Sequence, residues 1–240
     1  MIRGVLFDFG GVITHSCWSL ETMAEIIRRT FMEEGIDLGE NFDRVFCEVM
    51  EEAWGRVIRT LIEERMEDLI TEAIRRIGME PPMELVMRAI DNISEAPFCI
   101  VREDAEETLK ELKKMGIKIA IVSNSPINFH ERVLRKAGLM DYIDTIVVSC
   151  DVRYRKPHPE IYLIALRELG LKPEEAMFVG DVLEIDIVGA LKLGMICVLM
   201  RTPEPYMREK KLPREEPADP HFVIDELKEV VTIIKKINKL

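Results

Sequence analysis

The chain has 240 residues and a formal net charge of -11, with 44 acidic residues against 33 basic ones. Nucleic-acid binding needs a basic face, so this balance argues against a nucleic-acid partner. No apolar run approaches the ~18 residues of a membrane-spanning helix, so we expect no membrane association. The five cysteines are scattered without a CxxC pair, and no secretory leader pattern precedes the first charges. We therefore expect reduced thiols and a cytoplasmic protein.

Residues 2–7 (IRGVLF) predict a short buried strand, and residues 16–95 are nearly all helix by their apolar spacing. From residue 117 onward, short apolar runs alternate with helical segments, which is typical of a parallel sheet covered on both faces. The predicted strands are 117–123, 145–149, 176–180 and 195–200. The predicted helices are 103–115, 127–137, 158–169 and 183–193. A proline-rich segment, 202–221, is expected to cover the surface before a short strand and a final helix.

These patterns predict an α/β fold, with a doubly wound, mostly parallel Rossmann-like sheet as its core. The helical stretch directly follows the first strand, so we expect it to form an inserted all-helical cap subdomain. The predicted core domain is 1–14 with 96–240, and the predicted cap is 15–95. We expect a monomer, whereas an exposed apolar cap face would indicate a dimer.

Polar residues follow several predicted strands at the point where each strand ends. Asp8 follows the first strand, Ser123 and Asn124 the second, and Asp181 the fourth, with Lys156 in the segment after the third. Singly, each could be a turn, a helix cap or a solvated charge. Ligands of open α/β sheets bind at the carboxyl ends of strands, so together these residues predict one site.

Phosphoryl transfer through a carboxylate suits this set of side chains. An aspartate nucleophile divides the hydrolysis of a phosphate ester into two easier displacements. Mg²⁺ would relieve the repulsion between facing carboxylates, and it prefers such oxygen ligands. A hydroxyl and an ammonium group can bind the remaining phosphoryl oxygens. The expected partner is a small-molecule phosphate ester.

Four segments in order, VLFDFGGV, IAIVSNSP, YRKPHPEIY and FVGDVLEIDIVGA, resemble the motifs of the haloacid dehalogenase (HAD) superfamily. The helical insertion resembles that of members with a cap after the first strand. The resemblance implies that Asp8 is the nucleophile and a metal ligand, and that Gly10 offers its backbone carbonyl to Mg²⁺. It implies that Ser123 and, beside it, Asn124 bind the phosphate, and that Lys156 pairs with the nucleophile and the phosphate. It also implies that Asp181 binds Mg²⁺ and that Asp186 supports the metal or Lys156.

Gly10 departs from the pattern, because phosphatases of this superfamily usually carry a second aspartate there as general acid and base. Such help is typically worth ~10²–10⁴-fold in rate. Three readings follow: a phosphatase that works without this acid, a 2-haloacid dehalogenase whose halide needs no proton, or a non-catalytic binding or regulatory protein. The GD motif at Asp181 favours the phosphatase. His15 is a candidate substitute acid, although a hinge role is the simpler reading.

The cap is expected to select the substrate, and its sequence says least about how. Trp18 and Trp54 are interpreted as packing anchors rather than as surfaces that bind substrate. Four cap arginines could reach an anionic substrate or could simply be solvated: Arg28, Arg29, Arg56 and Arg59.

Overall fold

The structure is a computed structural model that describes residues 1–15, 19–96, 99–202 and 219–239. Within these ranges it contains a six-stranded sheet with the order β3-β2-β1-β4-β5-β6, in which every neighbouring pair is parallel. The strands are β1 (Gly4–Phe7), β2 (Lys118–Ser123), β3 (Thr145–Val148), β4 (Ala176–Gly180), β5 (Ile196–Met200) and β6 (Phe222–Ile224). The strand order reverses direction at β1, so the ends of β1, β2 and β4 meet at one edge.

In the described residues, four helices follow β1 where a cap is predicted, and the word cap refers to them below: α1 (Leu20–Glu33), α2 (Phe42–Thr60), α3 (Met66–Arg76) and α4 (Met83–Glu95). Each helix presents an apolar face, and these faces pack together into a hydrophobic cluster of their own. Representative buried residues are Ile27, Phe46, Ile70 and Val86, one from each helix. All four helices lie inside 15–95, and the domain bounds given above stay a prediction.

The remaining helices cover the two faces of the sheet: α5 (Ala105–Lys114), α6 (His130–Lys136), α7 (Ser149–Val152), α8 (Pro159–Leu169), α9 (Val188–Lys192) and α10 (Glu229–Asn238). Successive residues of β1 point to opposite faces. Val5 and Phe7 belong to the cluster that includes α5 and α10, whereas Leu6 belongs to the cluster that includes α8 and α9. The doubly wound parallel fold is therefore confirmed.

Several boundaries differ from those predicted. Ser149, expected as the last residue of a strand, begins the short helix α7. The helix expected over 183–193 divides into a wide π-type turn, Leu183–Ile187, and α9. The short strand and final helix after the proline-rich segment are confirmed as β6 and α10, while residues 203–218 lie outside the described ranges.

The structure bears on two expectations: that no helix spans a membrane and that the cysteines are reduced. No helix in the described ranges has both the length and the apolar character needed to cross a membrane. Cys47, Cys150 and Cys197 are free, but Cys99 is disulfide-bonded, so the expectation of reduced thiols is wrong for Cys99. Pairing depends on proximity in the fold, which scattered spacing in the sequence does not reveal.

Candidate active site

The carboxyl edge of the sheet brings the predicted site residues together. Asp8, Ser123 and Asn124, and Asp181 occupy the ends of β1, β2 and β4, and Lys156 reaches them from the segment between α7 and α8. All five line one cavity. The convergence that the strand ends predicted is therefore present in the structure.

Lys156 lies at the centre of this group. Its ammonium Nζ is 2.6 Å from Asp8 Oδ1 and 2.7 Å from Asp186 Oδ1, and its side chain is 1% exposed. The side-chain amide of Asn124 donates to the Lys156 carbonyl at 3.0 Å and accepts from the Lys156 N–H at 2.8 Å. Asn124 thus fixes the backbone that carries Lys156, so its amide is committed to positioning that lysine.

Three carboxylates surround this ammonium group. Asp8, Asp181 and Asp186 each offer an oxygen within 4.8 Å of the others. Burial, together with the charge of Asp186, raises the pKa of Asp8 to about 6 despite the opposing charge of Lys156. Burial and the charges of Asp186 and Asp8 raise the pKa of Asp181 to about 8. One ammonium does not balance three carboxylates that are buried or half-buried, and an all-oxygen donor set with excess negative charge fits Mg²⁺.

The turn after β4 holds two of these carboxylates in place. Asp186 Oδ2 accepts the backbone N–H groups of Asp181 at 3.1 Å and of Val182 at 3.0 Å. In the wide π-type turn, the carbonyls of Ile185 and Asp186 accept from the Tyr162 hydroxyl at 2.9 and 3.1 Å. The departure from regular helix at this point is therefore part of how Asp186 reaches Lys156.

Three glycines at this edge differ in what a side chain would meet. A Cβ on Gly180 would lie 2.2 Å from the Asp186 Cβ, and one on Gly11 would lie 2.2 Å from Asp181 Oδ2. Gly11 also has a φ of +83°, which disfavours any other residue. A Cβ on Gly10 would have no heavy atom within 4 Å, so a larger residue is not sterically excluded there.

The cavity above the carboxylates has a volume of about 190 Å³. Its floor is the polar edge of the sheet, and its opposite wall comes from α1, α2 and α3 of the cap. That wall is mainly apolar and includes Leu20, Met23, Met50, Ala53, Trp54 and Leu69.

A buried polar network joins cap and core at one side of this cavity, and no pattern in the sequence predicts it. The Arg155 guanidinium and the Ser149 hydroxyl both donate to Glu63 Oε2. The Glu63 and Arg155 side chains are 3% and 8% exposed. Arg155 also lies over the ring of Trp54, with 5.2 Å from its Cζ to the ring centroid. A single acid in a cap loop cannot be matched to a partner 92 residues away by periodicity or spacing.

A second contact that the sequence did not reveal lies behind Asp181. The Thr202 hydroxyl donates to Asp181 Oδ2 at 3.3 Å, and Thr202 is buried. It lies two residues after the end of β5, so its position near a strand end is the signal that could have identified it.

The sequence model of the haloacid dehalogenase-like hydrolase family matches residues 2–194. The chain belongs to this family. The superfamily resemblance of the four motifs is thereby confirmed.

Relatives of this HAD-like hydrolase cover its whole length. A protein of Methanopyrus kandleri named glyceraldehyde 3-phosphate phosphatase is 31% identical, with 100% of each chain covered. The structure of a 2-haloacid dehalogenase from Pseudomonas syringae superposes with a TM-score of 0.72 at 20% identity, covering 99% of this chain and 100% of that one, which shows the shared fold. A HAD phosphatase from Thermococcus onnurineus has a TM-score of 0.59 at 25% identity, covering 97% and 98% of the two chains.

The remaining candidates lie away from the chemistry of this HAD-like site. His15 is not among the described residues that line the cavity; its Nε2 faces Glu103 at 3.5 Å and its side chain is 44% exposed. The structure thus gives no support to His15 as the substitute acid. None of the four cap arginines lines the described cavity, and Arg56 is instead paired with Glu64 at 2.8 Å. Trp54 does line the cavity, and Trp18 lies outside the described residues.

Proposed function

We propose that this chain is a Mg²⁺-dependent hydrolase of small phosphate monoesters that forms an aspartyl-phosphate on Asp8. The observation that carries the proposal is the pairing of Asp8 with Lys156 inside a cluster of three carboxylates at the floor of a cavity. Family membership and relatives named as phosphatases support the same reading.

In the first step, an Asp8 carboxylate oxygen attacks phosphorus, and the bond from phosphorus to the ester oxygen breaks with its electrons leaving on that oxygen. Lys156 orients Asp8 and offers a positive charge to the phosphoryl oxygens. Ser123 donates its hydroxyl to the same group. Water then attacks the phosphorus of the aspartyl-phosphate, which releases inorganic phosphate and regenerates the Asp8 carboxylate.

Asp8, Asp181 and the Gly10 carbonyl would hold Mg²⁺. When bound, this ion neutralises carboxylate charge and lowers the energy of charge that develops on the phosphoryl oxygens. Asp186 and Asn124 position Lys156: Asp186 pairs with its ammonium group, and Asn124 holds its backbone.

The chain supplies no carboxylic acid at Gly10, so the leaving oxygen must take its proton from water or from the phosphate monoanion. Esters with a weakly basic leaving group need this proton least. We therefore expect higher turnover with aryl phosphates than with simple alkyl phosphates of similar fit.

A 2-haloacid dehalogenase is the second candidate, because a halide leaves without a proton and the cap wall of the cavity is apolar. The position of Asp181 argues against it. A third carboxylate beside Asp8 and Asp186 adds repulsion that a metal-independent reaction on an anionic acid would not need. A non-catalytic binding protein with this fold is a further alternative, which phosphate binding without any turnover would support.

The test is a panel of phosphate esters and 2-haloacids, assayed with Mg²⁺ and with EDTA. It includes glyceraldehyde 3-phosphate because the Methanopyrus relative carries that name. We expect Mg²⁺-dependent phosphate release that Asp8→Asn lowers by at least about 10³-fold. Asp91→Asn makes the same chemical change at an exposed position on α4 and should leave the rate unchanged. Halide release that survives EDTA, without phosphate release, would contradict the proposal.

A further inference from the structure

The two sides of the cavity differ sharply in chemistry, and the difference bears on the part of the substrate that is not phosphate. The floor carries the charged and polar groups that would hold the phosphoryl group. Apart from Glu63 and Glu64, the cap wall facing it is apolar and includes Leu20, Met23, Met50, Ala53, Trp54 and Leu69. An organic group attached to the phosphate must lie between these side chains.

The charged groups at the cap side of the cavity are already paired. Glu63 accepts from the buried Arg155 guanidinium. Glu64 accepts two hydrogen bonds from Arg56, each of 2.8 Å. Among the described lining residues, the cations are Lys156, which is needed for the phosphoryl group, and Arg155, whose charge is already balanced by Glu63. A second phosphate or a carboxylate on the substrate would therefore bring a negative charge with no unbalanced cation to meet it, so doubly anionic substrates are disfavoured.

Hydroxyl groups on the substrate face a similar difficulty. A hydroxyl buried against Leu, Met and Ala side chains loses its water without gaining a partner. A sugar phosphate carries several such groups, whereas an apolar group of the same size loses nothing on entering.

The size of the cavity sets the upper limit on this group. Its volume is about 190 Å³. A protein cavity of about 150 Å³ lined by Leu, Ile and Phe holds benzene. Because the phosphoryl group would occupy part of this space, the organic group is limited to at most about one six-membered ring.

We infer that the substrate class is a phosphate monoester whose organic part is one compact apolar group, aryl or branched alkyl, with no second anionic group. This inference rests on the proposed function and narrows it. Met50 and its neighbours on α1–α3 then determine specificity through apolar contact.

Benzyl phosphate and glyceraldehyde 3-phosphate test the inference. Both release a primary alcohol, so the two substrates are matched in the type of leaving group and differ in the organic part. With Mg²⁺, we expect kcat/KM for benzyl phosphate to exceed that for glyceraldehyde 3-phosphate by about 100-fold. Met50→Gln should lower this ratio by at least about 10-fold. Met87→Gln, a matched change at a 47% exposed position on α4, should preserve it.

A higher kcat/KM for glyceraldehyde 3-phosphate or for 2-phosphoglycolate would overturn the inference while leaving the proposed phosphatase intact. If neither of these alkyl esters is hydrolysed, binding still decides the substrate class, and the proposed function fails only if 4-nitrophenyl phosphate is not hydrolysed either. Calorimetric titration of wild-type protein with Mg²⁺ and benzylphosphonate should then show tighter binding than titration with phosphonoacetate. Equal or tighter binding of phosphonoacetate would overturn the inference.

Discussion

Gly10→Asp places a carboxyl group where the superfamily resemblance implies a general acid, and the structure indicates that it fits. A Cβ at Gly10 meets no heavy atom within 4 Å, and the residue also lines the cavity. General acid catalysis is typically worth ~10²–10⁴-fold. That corresponds to about 3–5 kcal/mol of activation free energy. We therefore expect kcat for an alkyl ester such as benzyl phosphate to rise by about 10²-fold or more.

The assay compares benzyl phosphate with 4-nitrophenyl phosphate, whose leaving group hardly needs a proton and whose rate should change less than about 10-fold. Gly10→Asn matches the size of aspartate without an acidic proton, and should give no gain on either ester. Gly11→Asp is expected to destabilise the protein instead, since its Cβ would lie 2.2 Å from Asp181 Oδ2. Equal rates for Gly10→Asp and Gly10→Asn on benzyl phosphate would refute the argument that the missing acid limits turnover.

Three further predictions concern charge in the buried parts of the molecule. Because the pKa values of Asp8 and Asp181 are raised to about 6 and about 8, the folded metal-free chain holds protons that the unfolded chain releases above pH ~4. Urea titrations in EDTA should therefore show a free energy of unfolding that falls as the pH rises from 4 to 8. The same titrations with Mg²⁺ should show no such fall. Burial lowers the pKa of His130 to about 3, so this side chain takes up its proton at a higher pH in the unfolded chain than in the folded chain. With Mg²⁺ present, lowering the pH from 7 to 5 should change the free energy of unfolding by about 2 kcal/mol less favourably in wild type than in His130→Leu, and an equal change in both would exclude His130 as the cause. Glu63→Leu should cost about 3–5 kcal/mol by leaving Arg155 buried and unpaired, whereas the double variant with Arg155→Met should recover most of that cost in the same urea assay.

The sequence was most informative where chemistry depends on the ends of strands. Asp8, Lys156 and Asp181 could be identified because parallel strands bring their carboxyl ends to one edge, which turns distant positions into neighbours. The same rule applies to Thr202 after β5, which lacks a distinctive motif and was not predicted.

The contacts between cap and core could not be predicted in this way. Glu63 meets Arg155 only because the loop between α2 and α3 pairs with the segment after β3, where Glu63 N–H donates to the Arg153 carbonyl at 2.7 Å. Neither strand periodicity nor helix periodicity describes a loop–loop contact. The wide turn at Leu183–Ile187 was missed for a related reason, since its apolar spacing is that of a helix, and the hydrogen bonds of Asp186 and Tyr162 decide its shape.

The charge of the site bears directly on which of the two candidate reactions it suits. With all groups ionised, Asp8, Asp181 and Asp186 outweigh Lys156 by two negative charges, and a phosphate ester or a 2-haloacid adds more. Attack by Asp8 requires its ionised form, while the raised pKa values of Asp8 and Asp181 show that the metal-free site favours protons. A divalent cation would balance the excess and keep Asp8 ionised in the presence of an anion. A dehalogenase reaction without metal would have to proceed against this repulsion, so the arrangement around Asp181 favours the phosphoryl chemistry.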